Sequence, residues 1–350
     1  MKKTVGIACL FALVLVIILF IYSALYLRTP CDEKGLKKTV AVRRGMAFRE
    51  VASLLEDQGI IKGVTRFILL GRLSGASPKV KAGEYELSSD MTPLQVLDAL
   101  TKGRVKQYKV SIPEGYAVRQ IAEFLETEGI TNGEAFLEKC FSRQYISSLG
   151  IEANSLEGYL FPDSYLFSKG LSGEEVIETM VRRFRQIYIR EYSKKARELG
   201  FSDYEILILA SIIEKEAAIP EERFLVSSAY HNRLKRKMRL YSCPTVIYGI
   251  EDFDGNLTKR DLERYTPYNT YIIRGLPPGP ICNPGKEAIE AALYPAKTKY
   301  LYFVSKNDGS HHFSSTLKEH NIAVRKYQKT RKYWPQKHRL GEKKGTHSSF

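Results

Sequence analysis

The chain has 350 residues and a formal net charge of +15. That length is enough for two or more domains, each with its own hydrophobic core. Its five cysteines are scattered and show no Cys-x-x-Cys spacing, which argues against a disulfide framework and against a cysteine zinc site. The positive charge could serve nucleic acid, an acidic membrane surface or an anionic polymer, and by itself it does not choose among them.

The first predicted element is an apolar segment over Thr4–Leu27, which follows Lys2 and Lys3. Its length matches the roughly 20 apolar residues that a bilayer-spanning helix needs. Residues 22–26 offer no small-x-small site for cleavage of a secretory signal. The sequence therefore predicts an uncleaved transmembrane anchor within residues 1–28, with the rest of the chain outside the cytoplasm.

An internal repeat follows. A short strand and a glycine turn at Gly45 lead into an amphipathic helix over residues 51–60, and the pattern recurs from Gly115 into residues 121–130. A looser strand-then-helix copy over residues 83–100 lies between them. The pattern predicts small strand-helix modules, for which a structural role and a glycan-binding role both stay open.

The segment over residues 156–166 alternates aromatic residues with Glu157 and Asp163 and is broken by glycine and proline. This composition is typical of an ordered loop. Sugar rings stack on aromatic faces while carboxylates accept their hydroxyl groups, so Glu157 and Asp163 are candidate substrate-binding residues. Packing of the same tyrosines into the core explains the pattern equally well.

A buried central helix is the most informative prediction. Ser202 followed by Glu205 forms a capping box, and residues 206–213 are apolar on nearly every face, which predicts a helix surrounded by protein. Pro220 ends this segment and can open the next helix, predicted over residues 221–238.

Glu216 projects from an apolar row at the carboxyl end of this helix. Desolvation and the helix dipole both disfavour an ionised carboxylate there, and a partly protonated glutamate is what a general acid requires. The alternative is that Glu214 and Glu216 are solvated charges at a fraying helix end, paired with Lys215 or Arg223.

Further candidates follow the central helix. Residues 243–249 predict a strand, and Tyr268 with Asn269 open a polar motif. The segment over 275–285 is rich in proline and glycine, which predicts a stiff loop suited to lining a cleft. Candidates for positioning a substrate are Tyr268, Asn269, Gly275, Pro277 and Gly279, and each could equally stabilise the fold.

The end of the chain predicts a hairpin between a strand over residues 300–304 and His311–Ser314. The chain lacks a His-Glu-x-x-His motif, and His311 and His312 are neighbours in a strand and point to opposite faces, so no metal site is predicted.

Five spaced motifs together resemble the YceG-like endolytic murein transglycosylases. They are Ala210–Glu216, Pro244–Gly249, Tyr268–Tyr271, Gly275–Gly279 and Glu319–Asn321. Their common order is far more specific than any one of them.

The resemblance implies a bacterial inner-membrane lytic transglycosylase, a lyase that cuts nascent peptidoglycan strands internally between N-acetylmuramic acid and N-acetylglucosamine without water. Glu216 matches the catalytic glutamate, which acts first as acid and then as base, and the products end in 1,6-anhydro-N-acetylmuramic acid. Implied partners are glycan strands, the inner membrane and peptidoglycan synthases, with no nucleic acid, cofactor or metal. A non-catalytic glycan-binding or cell-division scaffold is the alternative.

The chain departs from the family pattern at Cys243, where an aspartate commonly precedes Pro-Thr-Val, so the resemblance carries no role over to this position. The predicted fold is α+β: a transmembrane helix, LysM-like strand/helix modules, and a mixed catalytic domain around a buried helix. Its predicted parts are an anchor (1–28), a LysM-like module (39–105), a second module with a linker (106–170), the catalytic domain (171–328) and a basic tail (329–350).

Overall fold

The computed structural model describes residues 13, 14, 17, 18, 25–217 and 219–329. The α-helices are α1 (Phe48–Asp57), α2 (Val64–Leu73), α3 (Pro93–Lys102), α4 (Val118–Thr127), α5 (Gly133–Phe141), α6 (Arg143–Ser148), α7 (Gly173–Ile187), α8 (Arg190–Leu199), α9 (Asp203–Glu216), α10 (Arg223–Lys235), α11 (Cys243–Tyr248), α12 (Lys259–Glu263), α13 (Lys286–Leu293) and α14 (Leu317–Val324). The strands are β1 (Lys37–Val42), β2 (Gly83–Ser88), β3 (Tyr108–Ser111), β4 (Ser164–Phe167), β5 (Tyr302–Ser305) and β6 (His311–Ser314). Short 3₁₀ turns cover Ser77–Lys79 and Pro220–Glu222, and a π-helical turn covers Arg325–Lys329.

The fold is mixed α+β, as predicted. The prediction that it includes a transmembrane helix over Thr4–Leu27 is wrong. None of the helices among the described residues has the length and apolar character needed to cross a bilayer. Such a helix needs roughly 20 consecutive apolar residues. Most of Thr4–Leu27 and nearly all of the predicted basic tail lie outside the described residues.

The chain divides into two units. The first consists of residues 1–111, 123–136 and 164–176, and the second of residues 112–122, 137–163 and 177–350.

In the first unit, β1 pairs with β2 and β3 pairs with β4, both antiparallel. The predicted strand-turn-helix pattern is present in both copies. The strand β1 leads through a turn into α1 within this unit, and β3 leads through a turn into α4, with the turn and residues 118–122 assigned to the second unit. The turn glycines Gly45 and Gly115 have φ of 80° and 77°, a region that only glycine adopts without strain. The helices α1 to α3 bury an apolar core against β1 and β2 that includes Leu55, Tyr85 and Leu100.

The second unit is built around α9, and every residue from Ile206 to Ile213 is buried. The capping box of Ser202 and Glu205 starts the helix as predicted. The helix packs against α10 and α13, so neighbouring elements cover its apolar side chains on several sides.

Ser211, the one polar residue in the apolar run, fixes the proline- and glycine-rich loop. Its hydroxyl group donates to the carbonyl oxygen of Ile208 at 2.7 Å and accepts from the backbone N–H of Ile281 at 3.0 Å. A buried polar group thus ties the loop to the central helix.

The predicted strand over residues 243–249 is wrong, because Cys243–Tyr248 forms α11. Its β-branched residues suggested a strand, but Pro244 sits in the first turn, where proline favours helix. The predicted C-terminal hairpin is confirmed, since β5 and β6 pair antiparallel with Val304 opposite His312.

Candidate active site

Glu216 is the last residue of α9 and is half-buried. Its Oε1 atom accepts hydrogen bonds from the Ser242 hydroxyl at 2.6 Å and from the Tyr230 hydroxyl at 3.1 Å. Burial raises the pKa of Glu216, while these two donors and the nearby His311 and Arg233 act in the opposite direction. The net shift is upward, in the direction that favours the protonated form that a general acid needs.

Glu214 has a different environment, although it lies only two residues away. Its side chain is 6% exposed, its Oε1 contacts Nη2 of Arg223 at 3.3 Å, and its Oε2 accepts from the N–H of Gly285 at 3.0 Å. Arg223 also contacts Glu114 and Glu287. Both oxygens of Glu214 therefore hold structure together, and Arg223 pairs with Glu214 rather than with Glu216.

Ser242 belongs to a network of hydroxyl groups that we call the Ser242 network, formed by Ser242, Thr245 and Thr270. The Thr245 hydroxyl donates to the carbonyl oxygen of Ser242 at 2.7 Å and lies 2.8 Å from the Thr270 hydroxyl. The Thr270 hydroxyl accepts from the N–H of Ser242 at 3.0 Å. All three residues are fully buried, so the Pro-Thr-Val and Tyr-Asn-Thr-Tyr motifs meet at the residue that contacts Glu216.

Cys243, at the position where an aspartate was expected, contacts a different group. Its Sγ atom lies 3.1 Å from the hydroxyl of Tyr271. Burial raises the pKa of this thiol, and the nearby Glu216 acts in the same direction. The side chain at this position is therefore a neutral thiol, which differs from an aspartate in charge.

Glu157 is enclosed by hydrogen-bond donors. It is 2% exposed and accepts from the N–H of Val118, the amide of Asn283 and the hydroxyl of Tyr248, each at 3.0 Å. Burial raises its pKa to about 7 even though these donors lower it. Because Val118 is the first residue of α4, Glu157 caps that helix.

A cavity of about 830 Å³ lies beside the end of α9. Its wall contains two of the predicted substrate-binding residues, Glu157 and Tyr268. Glu216 is not in the wall, but Lys215 and Pro244 are, and they adjoin Glu216 and the Ser242 network in sequence. The remaining wall residues are Gly115, Ala117, Arg119, Gln120, Phe141, Ile247, Tyr248, Gly249, Ile250, Glu251, Phe253 and Ile281.

The other predicted residues lie outside that wall. The carboxylate of Asp163 pairs with Nε of Arg183 at 2.6 Å. Pro277 and Gly279 are buried and Gly275 is half-buried with φ of 83°. A side chain at Gly279 would approach the hydroxyl groups of Tyr204 and Tyr268 to 3.0 Å, so this glycine permits close packing of the loop on two tyrosines.

Asn269 is fully buried, and its amide donates to the carbonyl oxygens of Asp261, Leu262 and Arg264 at 2.6–3.4 Å. Its Oδ1 accepts from the N–H of Tyr271 at 2.9 Å. These contacts hold the chain after α12 and occupy the atoms with which Asn269 would bind a sugar.

Asn269→Ala is therefore expected to lower the free energy of unfolding by about 2 kcal/mol, since buried carbonyl groups lose their donor. The KM for glycan should stay unchanged. Urea denaturation and steady-state kinetics test this, with the exposed Asn256→Ala as the matched control. A raised KM at wild-type stability would instead support substrate binding by Asn269.

Three residues of the site were missed by sequence reasoning. Tyr230 and Ser242 contact Glu216, and Asn283 binds Glu157, the N–H of Leu160 and the carbonyl oxygen of Tyr116. Two indirect signals were present in the sequence: Ser242 lies two residues before the Pro244–Gly249 motif, and Asn283 lies in the proline- and glycine-rich segment 275–285. In the part of the chain that the structure describes, no group of His, Cys, Asp and Glu is arranged to hold a metal ion.

The fold and the site define an α+β protein whose central buried helix ends in two carboxylates, an ion-paired Glu214 and a Glu216 held by two hydroxyl groups. The YceG-like family model matches residues 40–326, and the chain belongs to that family.

Relatives support this membership. An endolytic murein transglycosylase from Bacillus subtilis (strain 168) is 34% identical over 313 residues, which cover 84% of this chain and 86% of that protein. An endolytic murein transglycosylase from Streptococcus pneumoniae (serotype 2, strain D39) is 30% identical over 330 residues and 84% of this chain, which spans only 59% of that relative's length. The crystal structure of a yceG-like protein from Listeria monocytogenes matches with 34% identity and a TM-score of 0.57, covering 83% of this chain and all of that one.

Proposed function

We propose that this protein is an endolytic lytic transglycosylase that cleaves peptidoglycan strands between N-acetylmuramic acid and N-acetylglucosamine. The observation that carries the proposal is the half-buried carboxyl group of Glu216 at the end of α9, held through Oε1 by Ser242 and Tyr230. The names of the B. subtilis and S. pneumoniae relatives support the same activity.

In the proposed reaction Glu216 first acts as the acid. Cleavage of a glycosidic bond needs protonation of the leaving oxygen and passes through an oxocarbenium-like transition state. Burial raises the pKa of Glu216 and favours the protonated form that donates this proton.

Glu216 then acts as the base. Once ionised, it removes the proton from the 6-hydroxyl of the muramyl residue as that oxygen closes onto the anomeric carbon. The substrate's own hydroxyl is already close to the reacting carbon, so proximity replaces a second carboxylate and water is not consumed. In support, the two other carboxylates predicted for the site are engaged, Glu157 by three donors and Asp163 by Arg183.

The substrate implies where the protein acts. Peptidoglycan strands lie outside the cytoplasm, so we place the catalytic unit there, with nascent strands as substrate and peptidoglycan synthases as partners. Glu157 and Glu214 each use both carboxylate oxygens in structural contacts, whereas in the described residues Glu216 accepts hydrogen bonds through Oε1 alone. A scaffold has no use for a carboxyl group with one uncommitted oxygen, and this difference favours the enzyme.

Mass spectrometry of a digest of purified glycan strands tests the proposal. Internal cuts should release fragments of several disaccharides that end in 1,6-anhydro-N-acetylmuramic acid, each lighter than the hydrolysed fragment by about 18 Da, the mass of one water. Reducing ends as the main product would identify a hydrolase. Intact strands after incubation with folded protein would support the scaffold.

A further inference from the structure

The two hydrogen bonds to Glu216 are distributed unequally between its oxygens. Ser242 and Tyr230 both donate to Oε1, and in the described part of the chain no hydrogen bond reaches Oε2. A carboxyl oxygen that accepts two hydrogen bonds is not the one that carries the proton. The proton of neutral Glu216 therefore belongs on Oε2, which is the oxygen left for exchange with a substrate.

Both backbone polar groups of Ser242 are hydrogen-bonded. Its N–H and its carbonyl oxygen both bind threonine hydroxyl groups, and those two hydroxyl groups bind each other at 2.8 Å. Because all three residues are fully buried, water does not compete for these bonds. The backbone of Ser242 is thereby fixed on both sides.

The residue before Ser242 adds an independent observation. Tyr241 has φ of 50°, in the left-handed region that non-glycine residues rarely adopt. Its N–H donates to the carbonyl oxygen of Thr270 at 3.2 Å, and its ring packs edge-on against Tyr271. An uncommon backbone conformation persists only where its surroundings determine it, and such positions cluster at functional sites.

We propose that Ser242, locked by Thr245 and Thr270, is a positioning residue for Glu216 that fixes Oε1 and leaves Oε2 for proton exchange with the substrate. The proposal rests on the proposed function. It gives the Pro-Thr-Val and Tyr-Asn-Thr-Tyr motifs the role of holding Ser242 in place. The Ser242 network holds the catalytic carboxylate in its reactive orientation without touching the substrate.

The test is the pH dependence of kcat/KM for glycan strands. A donor to the carboxylate stabilises its ionised form, so removing the hydroxyl in Ser242→Ala raises the pKa of Glu216. The decline of kcat/KM at high pH, which follows ionisation of Glu216, should then occur about one pH unit higher than in the wild type. The rate on the plateau should fall about tenfold because Glu216 is less well oriented. The other titratable or charged groups near Glu216 are Tyr230, Arg233, Cys243, Tyr271 and His311, all unchanged in this variant.

Three further variants separate positioning from simple stability. Ser242→Thr keeps the hydroxyl and should restore the wild-type profile. Thr270→Val removes the lock and should shift the profile in the same direction by a smaller amount. Ser228→Ala is the matched control, because its hydroxyl pairs with Thr298 and not with Glu216, and should leave the profile unchanged.

The ¹³C NMR titration of the Glu216 carboxyl carbon gives a readout that does not depend on activity. A higher pKa of Glu216 in Ser242→Ala than in the wild type supports the positioning role of Ser242. If that result is obtained but strands are not cleaved, the proposed function is wrong while the contact between Ser242 and Glu216 stands. An unchanged titration and pH profile in Ser242→Ala, with only a lower melting temperature, would overturn the proposal.

Discussion

Replacing Glu216 by glutamine is expected to reduce glycan cleavage by at least about 10²–10⁴-fold, the contribution of general acid–base catalysis. Glutamine keeps the shape of the side chain and an acceptor for Ser242 and Tyr230, but its amide has no acidic proton to transfer to the leaving oxygen. Cleavage rates measured on purified glycan strands under identical conditions give the ratio directly.

The same substitution should not destabilise the fold at pH 7. Because burial raises the pKa of Glu216 in the folded state, the stability that its protonated form provides is lost as pH rises towards and through that pKa. Glutamine resembles the protonated form at every pH. The free energy of unfolding of Glu216→Gln at pH 7 should therefore equal or exceed that of the wild type in urea denaturation.

Glu214→Gln is the matched control from the same helix turn. It weakens the contact with Arg223 and should lower stability while most of the cleavage activity remains. Loss of turnover in Glu214→Gln together with near wild-type activity in Glu216→Gln would transfer the acid role to Glu214.

The central helix illustrates what the sequence could predict. The Ser202 capping box, the apolar run and the carboxylate at its end are local signals, and all of them are present in the structure. The β-hairpin at the end of the chain was predictable for the same reason, since alternation and turn residues are read within a few positions.

The contacts around Glu216 were not predictable, because they join residues far apart in the chain. Tyr230 and Ser242 reach one oxygen atom from different elements, and the Thr245–Thr270 contact spans 25 residues. The strand predicted at Cys243–Gly249 was wrong for a different, local reason. The β-branched residues favour a strand only weakly, whereas Pro244 in the first turn favours a helix.

Removing the carboxylate of Glu157 is expected to have a large effect on stability. Glu157→Ala leaves the N–H of Val118, the amide of Asn283 and the hydroxyl of Tyr248 without their acceptor in a buried site. Each such group costs about 1–3 kcal/mol, so the free energy of unfolding should fall by about 3 kcal/mol or more. Urea denaturation measures this directly.

Glu157→Gln separates a structural role from substrate binding. The folded-state pKa of Glu157 is raised from 4.5 to about 7, so the wild-type protein loses stability as pH rises between these values, by about 3 kcal/mol from this group. Glutamine does not titrate, and the difference in stability between the variant and the wild type should grow in the variant's favour across that window. The KM for glycan should stay within about twofold, a difference of less than 0.5 kcal/mol in binding free energy. A large rise in KM with no change in the pH dependence of stability would show instead that Glu157 binds substrate from the wall of the cavity.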